Sequence, residues 1–187
     1  MFDHFGIIAP FYERLIPLKH AERVLKFLAP QPEHRILDVG GGTGRVSALL
    51  RDRARQVVVL DESGKMLAKA REKGGLGLAR ALSEQMPFAD GAFERILMVD
   101  TMHHVIDHAQ TARELWRVLA PNGRLVIKEP DVRKFSGRLV AWMEKALLMR
   151  SEFLPPPVIV TLFGSAPRSV QMVEDTADKN TWMILEK

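Results

Sequence analysis

An α/β fold built on a mostly parallel sheet is expected from three observations. Short apolar runs, among them Arg35 to Val39, Gln56 to Leu60 and Arg95 to Val99, alternate with stretches of helical pattern. Parallel strands need a crossover between them, and a helix supplies it. The runs VVVL and ILMV are apolar at successive positions, as strands covered on both faces are. Finally, two apolar runs flank DTADKN near the end of the chain, the pattern of an antiparallel hairpin. The expected architecture is therefore a doubly wound, mostly parallel sheet with an antiparallel C-terminal hairpin.

Taken in order, the first thirty residues begin with a loose apolar stripe, Phe2, Phe5, Ile8, Phe11, Tyr12, Leu15 and Ile16, which suits a helical or irregular lid. Ala21 to Leu28 has the spacing of an amphipathic helix and is closed by Pro30 and Pro32. Strand Arg35 to Val39 runs into GGGTG, and Val46 to Arg53 is the helix after it. Strand Gln56 to Leu60 and helix Lys65 to Glu72 repeat the unit, followed by a weak strand, Gly77 to Leu82. Strand Arg95 to Val99, helix Ala109 to Leu119 and strand Arg124 to Glu129 complete the parallel part.

Beyond it, Arg138 to Met149 has a strong amphipathic pattern, Pro155 to Pro157 interrupts, and Val158 to Phe163 suits a short helix or a strand. Ser169 to Glu174 and Thr181 to Leu185 are the hairpin strands. At 187 residues the chain holds one domain. It divides into an N-terminal lid (1–34), a core (35–130), a cap (131–167) and the hairpin (168–187).

Composition excludes several classes. Lys and Arg number 27 against 23 Asp and Glu, a net charge of +4, and they form no basic run, so no nucleic-acid partner is expected. The absence of cysteine excludes disulfides, thiolate metal sites and a cysteine nucleophile. Asp3 and His4 stand where a secretory signal carries basic residues, and the apolar stretch Leu154 to Phe163 is short and proline-rich. A cytoplasmic protein without a membrane span is expected.

The most specific feature is ILDVGGGTGRVS, Ile36 to Ser47. A strand that ends in glycines and opens a helix lets the backbone approach a ligand closely, because glycine has no Cβ and tolerates tight turns. The dinucleotide pattern G-x-G-x-x-G, begun at Gly40 and Gly42, would require glycine where Arg45 stands. Asp38 would also set negative charge against a pyrophosphate. A cofactor with a cationic end, such as S-adenosylmethionine, suits it better. Asp61 ends the second strand about 20 residues after the loop, where an acid accepts ribose hydroxyls; as part of DESGK it also suits a helix cap.

Five successive blocks, ILDVGGGTGR, LDESGKML, SEQMPFADGAFERI, MHHV and ELWRVLAPNGRLVIKE, cover Ile36 to Glu129. Together they resemble the class I S-adenosylmethionine-dependent methyltransferases, the Rossmann-like group that includes the menaquinone and ubiquinone biosynthesis C-methyltransferases. The resemblance implies that Gly40, Gly41, Gly42 and Gly44 wrap the methionine portion, with Asp38 holding its amino group through water or backbone. It implies Asp61 at the ribose, Glu62 and Met66 along the adenine pocket, Ser83 at the adenine ring and Val99 on the cofactor side of the fourth strand. Where the family usually has Asp or Asn before that serine, this chain has Leu82, a departure expected either to weaken cofactor binding or to shift the amino-group contact to Glu84 or Gln85. At the N-terminus, Tyr12 matches the family's lid tyrosine, and Glu13 replaces its aspartate.

Methyl transfer is an in-line displacement at an activated carbon, so alignment and exclusion of water come first. A base is needed for some acceptors, and His103 and His104, just after the fourth strand, are the candidates; as scaffold residues they would instead fill space beside the cofactor. Asp100 could contact the acceptor or serve the turn. Glu129 and Asp131 could line the acceptor pocket, with surface exposure the blander expectation. His4, His20, His34 and His108 fit no ligand spacing, so no metal is expected. The implied activity is methyl transfer from S-adenosylmethionine, giving S-adenosylhomocysteine, to a small apolar or aromatic acceptor such as a quinone precursor, by a monomer or homodimer. The alternatives are an NAD-dependent oxidoreductase and a non-catalytic S-adenosylmethionine-binding protein.

Overall fold

A computed structural model describes residues 21–133, 151–175 and 180–187. The expected lid stripe with Tyr12, and the expected helix at 138–149, lie outside the described residues. Among the described residues, helix α1 (Ala21–Leu28) precedes strand β1 (Arg35–Val39), and helix α2 (Ser47–Leu50) is continued by a 3-10 turn, Arg51–Arg53. Strand β2 (Gln56–Asp61), helix α3 (Gly64–Glu72) and strand β3 (Gly77–Arg80) follow. Next come strand β4 (Phe93–Val99), a 3-10 turn (Met102–His104), helix α4 (His108–Val118) and strand β5 (Leu119–Pro130). Helix α5 (Pro156–Thr161) and strands β6 (Ser169–Glu174) and β7 (Asn180–Glu186) end the chain.

The strands form one sheet in the order β3-β2-β1-β4-β5-β7-β6. β1 to β5 are parallel to their neighbours, while β7 runs antiparallel to β5 and β6 antiparallel to β7. The chain therefore reverses its strand order between β3 and β4, and the crevice between the carboxyl ends of β1 and β4 is where ligands of such sheets bind.

Alternate residues of the central strands enter two cores. Leu37, Ile96, Leu125, Met183 and Leu185 pack with α4 and α5 on one face, whereas Ile36, Leu97, Val126 and Trp182 pack with Val24 and Leu28 of α1 on the other. Trp182 is fully buried and tilts against Phe27 at 5.3 Å. Both faces are covered, which is why the strands read as continuous apolar runs.

Three elements differ from expectation. The helix after the glycine loop is one turn of α-helix and then tightens, with the Arg53 guanidinium donating to the Leu49 carbonyl at 2.7 Å. β3 stops at Arg80, so Ala81 and Leu82 are left to the crevice. β5 begins at Leu119, because PNG forms a kink inside the strand with Asn122 in the left-handed region at φ 59°. Val158 to Phe163, open between helix and strand in the sequence, falls mainly in α5, which starts on Pro156 with its preset φ.

Candidate active site

The glycine loop is held from two sides. Gly40 and Gly41 both donate to the Leu60 carbonyl, at 2.7 and 3.3 Å, which ties the loop to the end of β2. Gly40 adopts φ 67°, and a Cβ there would lie 2.2 Å from Thr101 Cγ2, so both its conformation and its contact exclude a side chain. Beneath the loop, Asp38 is buried and accepts a 2.5 Å hydrogen bond from the Ser47 hydroxyl. Burial pushes its carboxyl up to about 7; the Ser47 hydrogen bond works against that rise and the negative charge of Asp61 adds to it.

Asp61 joins the loop to the next helix. Its carboxylate accepts from the Gly42 N–H at 2.9 Å and from the Ser63 N–H at 2.8 Å. Ser63 caps α3 by accepting from the Met66 N–H. The acid is fixed in place by backbone donors while its carboxylate lines the crevice.

The loop after β4 is built differently. Asp100 sits at φ 51°, a region uncommon outside glycine, and the Lys128 ammonium bonds both its carboxylate oxygens at 2.8 and 3.0 Å. Glu129, from the end of β5, accepts the Thr101 and Met102 N–H groups at 2.9 and 2.7 Å through one oxygen. Its other oxygen is 2.5 Å from His103 Nδ1. A carboxylate only accepts, which assigns the Nδ1 proton to His103. The His103 ring is buried and stacks on Phe153 with centroids 4.3 Å apart. His104 lines the crevice, with its ring 4.0 Å from that of His103 and its Nδ1 3.2 Å from the Ser151 hydroxyl.

These segments enclose one cavity at the carboxyl edge of β1, β2 and β4. Of the expected cofactor residues, Gly40, Gly42, Asp61, Glu62, Met66, Ser83, Glu84 and Val99 line it. Asp38, Gly41 and Gly44 are not in its wall: Asp38 lies below the loop, and a Cβ on Gly41 would meet the Asp38 carboxyl at 2.8 Å. Glu84 lines the cavity, yet its carboxylate accepts from Ile106 N–H, Asp107 N–H and the Ser83 hydroxyl, at 2.7, 3.2 and 3.1 Å. Of the two candidate histidines, His104 reaches the cavity and His103 does not.

The expected surface exposure of Glu129 and Asp131 is corrected: both are buried, Glu129 on the loop donors and His103, Asp131 against the Arg133 guanidinium at 2.7 Å. Sequence reasoning missed Leu60, Ala81, Thr101, Val105 and Ile106 as wall residues. Only their places at or just beyond strand ends could have signalled them.

The wall has a clear electrostatic character. Asp61, Glu62, Glu84 and Asp100 are in the wall, Asp100 paired with the buried Lys128, and among the described residues no lysine or arginine lines it. Such a site repels a pyrophosphate and favours a cationic ligand, while Leu60, Met66, Leu82, Val105 and Ile106 offer apolar surface to a flat ring. The residues therefore fit S-adenosylmethionine, which carries an ammonium and a sulfonium, better than NAD.

The methyltransferase domain family matches residues 37–127 of the chain, the span that builds this cavity. The chain thus carries a methyltransferase domain over these residues. That match, with the acidic wall, favours S-adenosylmethionine over the dinucleotide of the oxidoreductase alternative. Among relatives, the chain is 32% identical to the ubiquinone/menaquinone biosynthesis C-methyltransferase of Geotalea daltonii, over 71% of this chain and 64% of that protein. It is 36% identical to the demethylmenaquinone methyltransferase of Thermus thermophilus, over 67% of this chain and 63% of that protein. The chain thus spans just under two thirds of these curated relatives' lengths.

Solved methyltransferase structures share the fold. An S-adenosylmethionine-dependent methyltransferase of Thermotoga maritima, described as a possible histamine N-methyltransferase, superposes with a TM-score of 0.81 at 23% identity, covering 100% of both chains. A chain from the complex of the Haloferax volcanii Trm112 methyltransferase activator with a methyltransferase gives 0.85 at 15% identity, covering 100% of this chain and 98% of that one. Among the described residues, no helix is long and apolar enough to cross a membrane.

Proposed function

We propose that this chain transfers a methyl group from S-adenosylmethionine to a small aromatic acceptor of the quinol type. The observation that carries the first half is the cavity wall with four acidic residues, one of them paired with Lys128, and no lysine or arginine lining it among the described residues. The names of the two curated relatives, both quinone-pathway methyltransferases, support the second half.

When bound, S-adenosylmethionine supplies a methyl carbon made electrophilic by a sulfonium. The protein's part is to hold, align and dry the site. Asp61, fixed by Gly42 and Ser63, would accept the ribose hydroxyls, and Gly40 and Gly42 would admit the methionine portion without obstruction. Glu62, Met66, Ser83 and Val99 would border the adenosine. Asp38 and Gly44 would act by shaping the loop and Tyr12 by covering it.

A ring carbon of a quinol becomes nucleophilic as its phenolic proton leaves. His104 is the cavity's imidazole and would take that proton, and the methylated carbon would then release its own ring proton to water, restoring the aromatic ring. His103, held by Glu129 and stacked on Phe153, would orient its neighbour. The protein would act in the cytoplasm as a monomer or homodimer.

The test is incubation with methyl-labelled S-adenosylmethionine and a reduced 2-prenyl-1,4-naphthoquinol, followed by mass spectrometry of the ring product. A ring-methylated product is expected. Binding of the cofactor without methylation of any quinol would overturn the acceptor, and failure to bind it would overturn methyl transfer.

A further inference from the structure

The loop from Asp100 to Asp107 contains a single 3-10 turn, and two glutamates from different segments accept four of its backbone N–H groups. Glu129 holds the front half through Thr101 and Met102, and Glu84 holds the back half through Ile106 and Asp107. His104 and Val105, both in the cavity wall, lie between the two grips.

The grips are not equivalent. Glu129 is 2% exposed and belongs to a central strand, so its hold is set by the core. Glu84 is half-buried on the irregular stretch after β3, and Ala81, Leu82, Ser83 and Glu84 all line the cavity. The same stretch is tied to α4, with Gln110 Nε2 donating to the Glu84 carbonyl at 3.1 Å and the Ser83 hydroxyl 3.2 Å from that of Thr111. Any ligand packed on 81–84 therefore also fixes the carboxylate that holds Ile106 and Asp107.

We propose that Glu84 is a positioning residue that couples cofactor occupancy to the order of the histidine loop. The proposal rests on the cofactor reading above. A bare cavity leaves the back half of the loop held by a carboxylate on an irregular stretch that is packed on α4 at one side and open to the cavity at the other. A filled cavity orders that stretch, and His104 is then presented at a fixed place between its two anchors. An acceptor arriving afterwards meets an ordered loop and loses less conformational freedom on binding. Ser151, next to His104 and within the expected cap (131–167), extends the coupling toward the acceptor side.

The experiment is amide hydrogen exchange by NMR on the full chain, with and without saturating S-adenosylhomocysteine, saturation being verified by calorimetry for each variant. In the wild type, ligand is expected to slow exchange at Ile106 and Asp107 by about tenfold or more. Glu84→Ala should abolish that increment, and Glu84→Gln, which retains an acceptor oxygen, should restore most of it. Leu125 to Ile127 should exchange alike in all three proteins, which separates lost coupling from a loosened fold. Glu84→Asp, one methylene short, serves as the second variant if the alanine protein does not fold, and should also lose the increment. Ligand that binds the wild type without slowing Ile106 and Asp107, or full protection in the alanine variant, would overturn the proposal. Ligand that does not bind the wild type at all would instead overturn the cofactor reading beneath it.

Discussion

The loops after β1 and after β4 stand side by side at the same sheet edge and touch where Gly40 meets Thr101, yet they are held by opposite means. The first is shaped by missing side chains: backbone N–H groups bond the Leu60 carbonyl and the Asp61 carboxylate, and close approach rules out a Cβ at Gly40 and Gly41. The second is shaped by added side chains, with Glu129 and Lys128 reaching in from β5 and Glu84 from the stretch after β3. One loop is a surface the cofactor can lie on. The other is a tethered carrier for His104, and its tethers are charged.

The contrast predicts different responses to substitution. Removing the buried tether should have the largest effect: Glu129→Ala leaves two loop N–H groups and His103 Nδ1 without their acceptor, at a cost of about 4 kcal/mol in urea unfolding. A cost under about 1 kcal/mol would show that the loop does not depend on it. Adding a methyl group on the other side should come next. Gly40→Ala combines left-handed strain with a clash at Thr101, about 3 kcal/mol, together with loss of measurable S-adenosylmethionine binding. Intact binding in that variant would mean that the ligand does not use the loop.

How much of this could be read in the sequence follows the same division. Glycines after an apolar strand are a local signal, so Gly40, Gly42 and Asp61 were legible, and so was the antiparallel end of the sheet from the two runs around DTADKN. The tethers join residues 22 to 28 positions apart through burial that only the folded sheet creates. Glu129 looked like a surface acid at a strand end, and nothing local marks it as the partner of His103. Asp38 was legible as important but not as buried, because its place beneath Gly41 depends on the helix that brings Ser47 over it.

Asp38 gives a smaller effect, visible through pH. Its carboxyl titrates at about 7 in the fold against an ordinary 3.8, so the fold favours the protonated form. That contribution is complete below about pH 4 and is lost as pH rises through 7. Wild-type stability should fall by roughly 3 kcal/mol between pH 5 and 8 from this group, and Asp38→Asn should flatten the slope. An unchanged slope in the variant would place the carboxyl in a wetter environment than the structure shows. The smallest effect is expected at Leu82, which is 43% exposed at the cavity mouth. Leu82→Asn should change cofactor affinity by no more than about threefold, because a rim contact exposed to water contributes little.

The central claim is that this cavity is made for a cationic adenosyl cofactor and not for a dinucleotide. Calorimetric titration of the chain with S-adenosylmethionine and, separately, with NADH tests it most directly. The account predicts saturable one-to-one binding of S-adenosylmethionine, weakened about tenfold or more by Asp61→Ala, and no binding of NADH at the same concentrations. Saturable binding of NADH with none of S-adenosylmethionine would contradict it.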